Sequence, residues 1–290
     1  MKTINELLTG KSDCLSFEVY PPKKNVKTEM DIINRTIGKL THLNPDFISV
    51  TFGAGGSNKG KAVEISEMVQ NNGTTPLAHL TSVGYTKNDI GIILDNMYSK
   101  GIKNILALRG DIPQEVEFPN GAWTDFEFAK NLISYIKSDG RFCIGAAAYP
   151  EGHKDCKDVE ISVNHLREKV EAGADFFITQ LFFENDNYYK FIDMVEKLGM
   201  NMPIIPAILP VLKANQVNRI VELSGASIPP ELASLLEKYK DDDVSMKAAG
   251  KEFAAKQIEN LRSQGIKYIH LYTMNKYKSV AEIVKMCGLR

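Results

Sequence analysis

The sequence predicts an α/β protein, a (β/α)8 TIM barrel with an extra helix in the crossover before strand eight. Three observations carry this expectation. Short apolar runs rich in Val, Ile and Phe alternate with longer segments of helical period, the pattern of repeated strand–helix units. Eight such runs occur, each followed by a helical stretch, which is the count for a closed parallel barrel. No linker rich in Gly, Pro or Ser divides the 290 residues, so the chain reads as one domain, 1–290, in preference to an open doubly wound sheet with a second domain.

Taken in order, strand one (14–19) leads through Tyr20-Pro21-Pro22 to a helix at 28–41. Strand two (46–51) precedes a helix at 59–71, strand three (76–81) one at 86–99, and strand four (103–108) one at 124–138. Strands five (142–148), six (175–181) and seven (203–208) precede helices at 159–172, 186–198 and 213–223, and strand eight (267–272) precedes the last, at 276–287. Gly101, Gly173 and Gly265 stand between a helix and the next strand, where the left-handed conformation ends a helix readily. The long gap at 224–265 carries Pro229-Pro230 opening a helix at 231–239 and a second at 244–263, with Lys240-Asp241-Asp242-Asp243 as a solvated turn between them.

Composition narrows the partners. A hydrophobic fraction of 43% supports a large core, and 35 Lys+Arg against 36 Asp+Glu leave a formal charge of −1. Interspersed, nearly cancelling charge gives no basic face for nucleic acid or an anionic membrane, so a small-molecule partner is expected. The uncharged stretch from Met202 to Leu212 is broken by Pro203, Pro206 and Pro210 and is shorter than the ~20 residues that span a bilayer. An N-terminus with Glu6 and Asp13 lacks the apolar segment of a secretory signal, and a cytoplasmic protein is expected. Cys14, Cys143, Cys156 and Cys287 have no paired short spacing, which argues against zinc, iron–sulfur and disulfide frameworks. Redox chemistry would then need an organic cofactor.

In a barrel of this kind the active site is built at the C-terminal ends of the strands. Alternation along strand one turns Phe17 and Val19 to the helices and Glu18 to the lumen. Desolvation there is expected to raise the Glu18 pKa and suit it to donate a proton; a structural pairing with Arg or Lys is the equal alternative. Strand two runs into Thr51-Phe52-Gly53-Ala54-Gly55-Gly56-Ser57-Asn58, which misses the third glycine of a dinucleotide fingerprint and the Lys-Ser/Thr of a P-loop, and so reads as a tight turn. Strand three ends with His79 and Thr81, strand four with Leu108-Arg109-Gly110-Asp111, strand five with Tyr149-Pro150-Glu151-Gly152-His153, strand six with Gln180, and strand eight with His270, Tyr272 and then Lys276. Each has a structural explanation: a bonded core histidine, a local ion pair, a partnered amide. Together they place a polar or aromatic group at the C-terminal end of seven of the eight strands, which a purely structural barrel does not require.

These stretches resemble the methylenetetrahydrofolate reductase family, in its bacterial single-domain form. The similarity runs in order through Ser16-Phe17-Glu18 with Pro21-Pro22, Val50-Thr51-Phe52-Gly53-Ala54, Ala78-His79-Leu80-Thr81, Ala107-Leu108-Arg109-Gly110-Asp111, Ala148-Tyr149-Pro150-Glu151 with His153, Thr179-Gln180-Leu181-Phe182-Phe183, Ile208-Leu209-Pro210-Val211 and Tyr272-Thr273-Met274-Asn275. The resemblance implies a flavin-bearing (β/α)8 barrel of one-carbon metabolism and methionine biosynthesis. It implies reduction of 5,10-methylenetetrahydrofolate to 5-methyltetrahydrofolate, ping-pong with NADH, NADPH or a partner subunit as electron donor. FAD is the implied flavin and FMN the other candidate. Glu18 and Asp111 match catalytic positions, and Gln180, Tyr272 and Lys276 match substrate-binding ones. Thr51, His79, Leu108, Arg109, Gly110, Asp111, Phe128, Ala129, Tyr149, His153 and Lys169 match flavin-contacting ones. A homo-oligomer is also implied. Leu212-Lys213-Ala214-Asn215 departs from the family by lacking an aromatic residue that some members stack on substrate. Two other classes stay open: a pterin-binding methyltransferase barrel with no redox step, and a non-catalytic folate-binding subunit.

Overall fold

The computed structural model describes residues 1–11, 13–22, 26–52, 61–112 and 121–290. Nine parallel strand segments form one sheet: β1 (Cys14–Val19), β2 (Phe47–Val50), β3 (Thr75–Thr81), β4 (Asn104–Leu108), β5 (Cys143–Ala148), β6 (Phe176–Thr179), β7 (Ile204–Ile205), β8 (Ala207–Ile208) and β9 (Tyr268–Tyr272). Their order is β7-β6-β5-β4-β3-β2-β1-β9-β8. β7 pairs with β6 and β8 with β9, and only Pro206 lies between β7 and β8. The two are therefore halves of the expected seventh strand, and the sheet curls into an eight-stranded α/β barrel. Proline has no N–H to give a ladder, which divides the strand, but its carbonyl still accepts from the His270 amide at 3.0 Å.

Eleven α-helices occur among the described residues. The barrel helices are α2 (Lys27–Thr41), α3 (Lys61–Asn71), α4 (Lys87–Ser99), α5 (Ala129–Asp139), α6 (Val159–Glu171), α7 (Asn185–Lys197) and α11 (Tyr277–Met286). The seventh crossover holds α8 (Val217–Ser224), α9 (Pro230–Lys238) and α10 (Asp243–Ser263), so the expected elaboration before the last strand is present. α5 starts later than the periodicity predicts. Asp125, expected inside it, instead accepts from the Lys87 amide at 2.8 Å, at the start of α4. Helix α8 likewise starts at Val217, after a short 3-10 turn over Ala214–Gln216.

One element went unpredicted. Helix α1 (Ile4–Gly10) begins with a capping box in which Thr3 Oγ1 accepts from the Glu6 amide and Glu6 Oε2 accepts from the Thr3 amide. The Ile4 amide donates to Asn104 Oδ1 on β4 at 2.8 Å. This bond seats Ile4 and Leu8 against inward side chains of the strands, among them Phe47, Leu77, Leu106 and Phe176. Outward residues such as Phe17, Val19, Ile48, Leu80 and Ile144 join the helices in the main core. The N-terminal floor of the lumen is thus filled by apolar groups, and polar groups collect toward the other end.

A separate apolar cluster, with Val211, Val217, Leu232, Met246 and Phe253, holds the seventh crossover together. It depends on Gly250 in α10: a Cβ there would lie 1.7 Å from the Val211 carbonyl oxygen, so no side chain fits. No helix among the described residues is long and apolar enough to cross a membrane.

Candidate active site

Glu18 sits near the C-terminal end of β1, in register with Ser49 on β2 and Tyr272 on β9. It is buried, at 7% exposure, which places a carboxylate in the lumen as alternation predicts. Thr51 Oγ1 donates to Glu18 Oε1 at 3.0 Å. His79 Nε2 and His270 Nε2 each stand 3.7 Å from Oε2, and His270 Nδ1 lies 2.7 Å from Ser16 Oγ. Phe47 stacks on the His270 ring at 6.0 Å between centroids. The backbone is pinned as well: the Thr273 amide and hydroxyl both donate to the Glu18 carbonyl, at 3.2 and 2.6 Å. No Arg or Lys pairs with Glu18 among the described residues, so a simple structural ion pair is not what is built here.

The expected upward shift of the Glu18 carboxyl is corrected by these neighbours. Burial does push it up, but His270, His79 and Tyr20 outweigh that and hold it below the usual carboxylate range. His79 is pulled down by burial, against the upward pull of Glu18. The Tyr20 and Tyr272 phenols are driven well above their usual range by burial and then by the Glu18 charge. The result is a carboxylate ringed by two imidazoles, a threonine hydroxyl and two phenols.

Beyond β4 and β5 a cavity of about 340 Å³ opens between the strand ends, the start of α5 and the length of α6. Small Ala107 and Ala147, with Leu108, give it an apolar side, and Arg109, Phe128, Ala129, Tyr149, His153 and Lys169 also line it. The Arg109 guanidinium lies 3.9 Å from the Trp123 ring centroid and 5.6 Å from that of Phe128, with Nε donating to the Glu127 carbonyl at 3.1 Å. Lys169 Nζ donates to the Ala147 carbonyl at 2.7 Å, and burial draws its pKa down to about 8. Tyr149 packs edge-on against His153 with centroids 4.9 Å apart; burial raises the phenol to about 12 and lowers the imidazole.

The expected site residues fall into these two groups and their rim. Glu18, Thr51, His79 and Tyr272 come together, while Leu108, Arg109, Phe128, Ala129, Tyr149, His153 and Lys169 line the cavity. Thr51 and His79, expected at flavin-contacting positions, border Glu18. Gly110 takes φ +82° in the turn after β4, where a Cβ would be 2.8 Å from Val83 Cγ1, and this turn carries Asp111 outward. Asp111 pairs not with Arg109 but with Lys154 from the loop after β5, at 2.8 Å. Gln180 is half-buried just past β6 and turns its carbonyl oxygen to the Leu181 amide at 2.9 Å. Lys276 is exposed at the start of α11. The glycine-rich turn at 53–58 lies outside the described residues.

Sequence reasoning missed Ser16, Tyr20 and Trp123 as site residues, named His270 without assigning it a role, and overlooked the Lys130–Glu168 ion pair (2.9 Å) at the cavity edge. Ser16 and Tyr20 share the lumen face of Glu18 at i±2, a signal that was legible. No group of three His, Cys, Asp or Glu side chains suited to a metal occurs among the described residues.

Known proteins similar to this chain point to one family. The sequence model of the family described as methylenetetrahydrofolate reductase matches residues 3–288. The chain is 31% identical over 277 residues to 5,10-methylenetetrahydrofolate reductase of Escherichia coli K12, covering 95% of this chain and 91% of that protein. It is 35% identical to methylenetetrahydrofolate reductase 1 of Schizosaccharomyces pombe, covering 94% of this chain and 46% of the relative. Methylenetetrahydrofolate reductase (NADH) 1 of Arabidopsis thaliana is 34% identical, with 94% and 48% covered. The chain thus spans about half the length of these two eukaryotic relatives. Among solved structures, an uncharacterized protein from Clostridium thermocellum that binds two copies of 5-methyl-5,6,7,8-tetrahydrofolic acid shares the fold, with a TM-score of 0.68, 14% identity and 99% of each chain covered. The chain belongs to the methylenetetrahydrofolate reductase family.

Proposed function

We propose that this protein is a flavin-dependent oxidoreductase that reduces 5,10-methylenetetrahydrofolate to 5-methyltetrahydrofolate, with residues 1–290 acting as one flavin-binding unit. The observation that carries the reading is the pairing, at one end of the barrel, of a caged carboxyl at Glu18 with an aromatic and cationic cavity at the ends of β4 and β5. Family membership supplies the substrate, and the folate bound by the Clostridium thermocellum barrel agrees with it.

The cavity fits a flavin on its own chemistry. Ala107 and Ala147 leave a slot that larger side chains would fill, and Arg109 and Lys169 offer two cations to an anionic group. A partly desolvated ammonium bonded only to a backbone carbonyl gains most from an anion, which restores its full charge. When bound, the flavin supplies the hydride, received from NADH or NADPH and delivered to the folate methylene carbon in a ping-pong sequence.

The protein's own groups do the rest. Glu18, in its protonated form, donates to N10 of the substrate, which opens the five-membered ring and leaves a cationic iminium at N5. Asp111 contributes negative charge near that cation, and substrate entry competes with Lys154 for it. Gln180 contacts the pterin edge, Tyr272 walls the carboxyl, and Lys276 meets the glutamate tail from solvent. Thr51 and the two histidines fix the direction in which Glu18 points.

The test is reconstitution with FAD and with FMN, followed by anaerobic addition of NADH or NADPH. A yellow protein whose flavin absorbance bleaches with nicotinamide and returns with methylenetetrahydrofolate is expected. A protein that binds neither flavin overturns the proposal and favours a redox-silent pterin barrel.

A further inference from the structure

Tyr20 lies two residues beyond Glu18 where the chain leaves β1, so both side chains leave the backbone on the lumen side. Its backbone is clamped from both directions by one residue. The Tyr20 amide donates to Asn275 Oδ1 at 3.0 Å, and Asn275 Nδ2 donates to the Tyr20 carbonyl at 2.9 Å. Asn275 itself is held at φ 56° in the turn after β9, where its amide donates to Thr273 Oγ1 at 3.0 Å. Thr273 in turn donates to the Glu18 carbonyl. One short turn therefore fixes the backbone of both Glu18 and Tyr20, and the Tyr20 side chain shares the lumen side with the Glu18 carboxylate, whose charge helps to raise the phenol. A half-buried tyrosine set by two bonds to one residue across the barrel seam is more than a wall.

We infer that Tyr20 is a positioning residue for Glu18: its hydroxyl donates to the carboxylate, aims it, and sets how readily it takes up the proton that it later gives to substrate. The inference rests on the reading of Glu18 as the acid. Other titratable groups facing Glu18 are His79 on β3 and His270 and Tyr272 on β9, with Tyr149 beyond β5 felt through Tyr272. β2 contributes Ser49 in register, and the residue just past its end, Thr51, contributes only a hydroxyl. Tyr20→Phe deletes the hydroxyl and keeps the aromatic ring in place.

The sign follows from the donor. A phenol donating to the ionised carboxyl favours ionisation, so its loss raises the pKa of Glu18. A hydrogen bond to a charged group corresponds to a shift of about one pH unit or somewhat more. The folate half-reaction needs the protonated acid and falls as pH rises through that pKa. In Tyr20→Phe the falling limb is expected about one unit further to the alkaline side, with a lower maximum because the carboxyl is less well aimed. Reduction of bound flavin by nicotinamide should be unchanged. Asn275→Gly, which accepts the positive φ but removes the clamp, should move the limb in the same direction by less.

Stopped-flow measurement of both half-reactions from pH 4 to 8 decides the matter, with Glu18→Gln as the reference. If Glu18→Gln keeps the limb, the limb belongs to another group and the acid assignment itself fails. If Glu18→Gln abolishes folate reduction while Tyr20→Phe and Asn275→Gly both leave the wild-type limb in place, the assignment of Glu18 stands and the role inferred for Tyr20 is wrong.

Discussion

Lys169 provides the most quantitative prediction. Its amine projects from the last turn of α6 toward the cavity, bonded to the Ala147 carbonyl and 5.3 Å from the Tyr149 ring centroid. A fall from 10.5 to about 8 corresponds to at most about 3 kcal/mol in favour of losing the proton, since the group is only half-buried. The unfolded chain holds this proton up to the ordinary lysine range, whereas the folded one releases it near 8. Between these values the unfolded state binds more protons, so the cofactor-free protein gains stability as pH rises. Lys169→Met should abolish that rise and leave the cofactor-free protein somewhat more stable at pH 7. Under the proposed function the same substitution removes a cation from the flavin site. Loss of a charge-assisted hydrogen bond of ~1.5–3 kcal/mol predicts flavin binding weaker by roughly tenfold to a hundredfold. Denaturant melts of both proteins from pH 7 to 10, with a fluorescence titration of flavin at pH 7, measure the two effects. Parallel stability curves together with equal flavin affinity would refute the reasoning.

Two further predictions concern the frame that carries the site. Gly250→Ala forces a methyl into the Val211 carbonyl, and overpacking of ~1–3 kcal/mol should lower the melting temperature by several degrees; an unchanged melt would deny the close approach. Asn104→Ala leaves the Ile4 amide and the Pro76 carbonyl without their buried partner, an effect of ~1–3 kcal/mol. Amide exchange confined to Ile4–Gly10 should then accelerate, and a protected α1 would count against its role as the barrel floor.

Much of this architecture was legible in the sequence because strand alternation and glycine punctuation are local properties. Glu18 could be assigned to the lumen from its two apolar neighbours alone, and Arg109-Gly110-Asp111 could be placed at a strand end from the apolar run before it. Helix α1 was missed although Thr3 and Glu6 carry the spacing of a capping box, since seven residues show too little periodicity to stand out. The division of the seventh strand follows from Pro206, which stands mid-strand with no N–H to give the ladder. The cage could not be read locally. His270 meets Glu18 only because the barrel closes β9 onto β1, and Trp123 meets Arg109 only through an irregular connection. The same gap explains the reversed pKa expectation: burial of Glu18 is a property of its strand, whereas the imidazoles and phenol that outweigh burial come with the closure and with the neighbouring turn.

The proposed function assigns Glu18 to the folate step and not to the flavin step. Its most direct test is anaerobic single turnover of Glu18→Gln, loaded with flavin and followed at the flavin absorbance. Reduction by nicotinamide at close to the wild-type rate, followed by no reoxidation with 5,10-methylenetetrahydrofolate, is the predicted result. Reoxidation at the wild-type rate, or equal loss of both half-reactions, would contradict it.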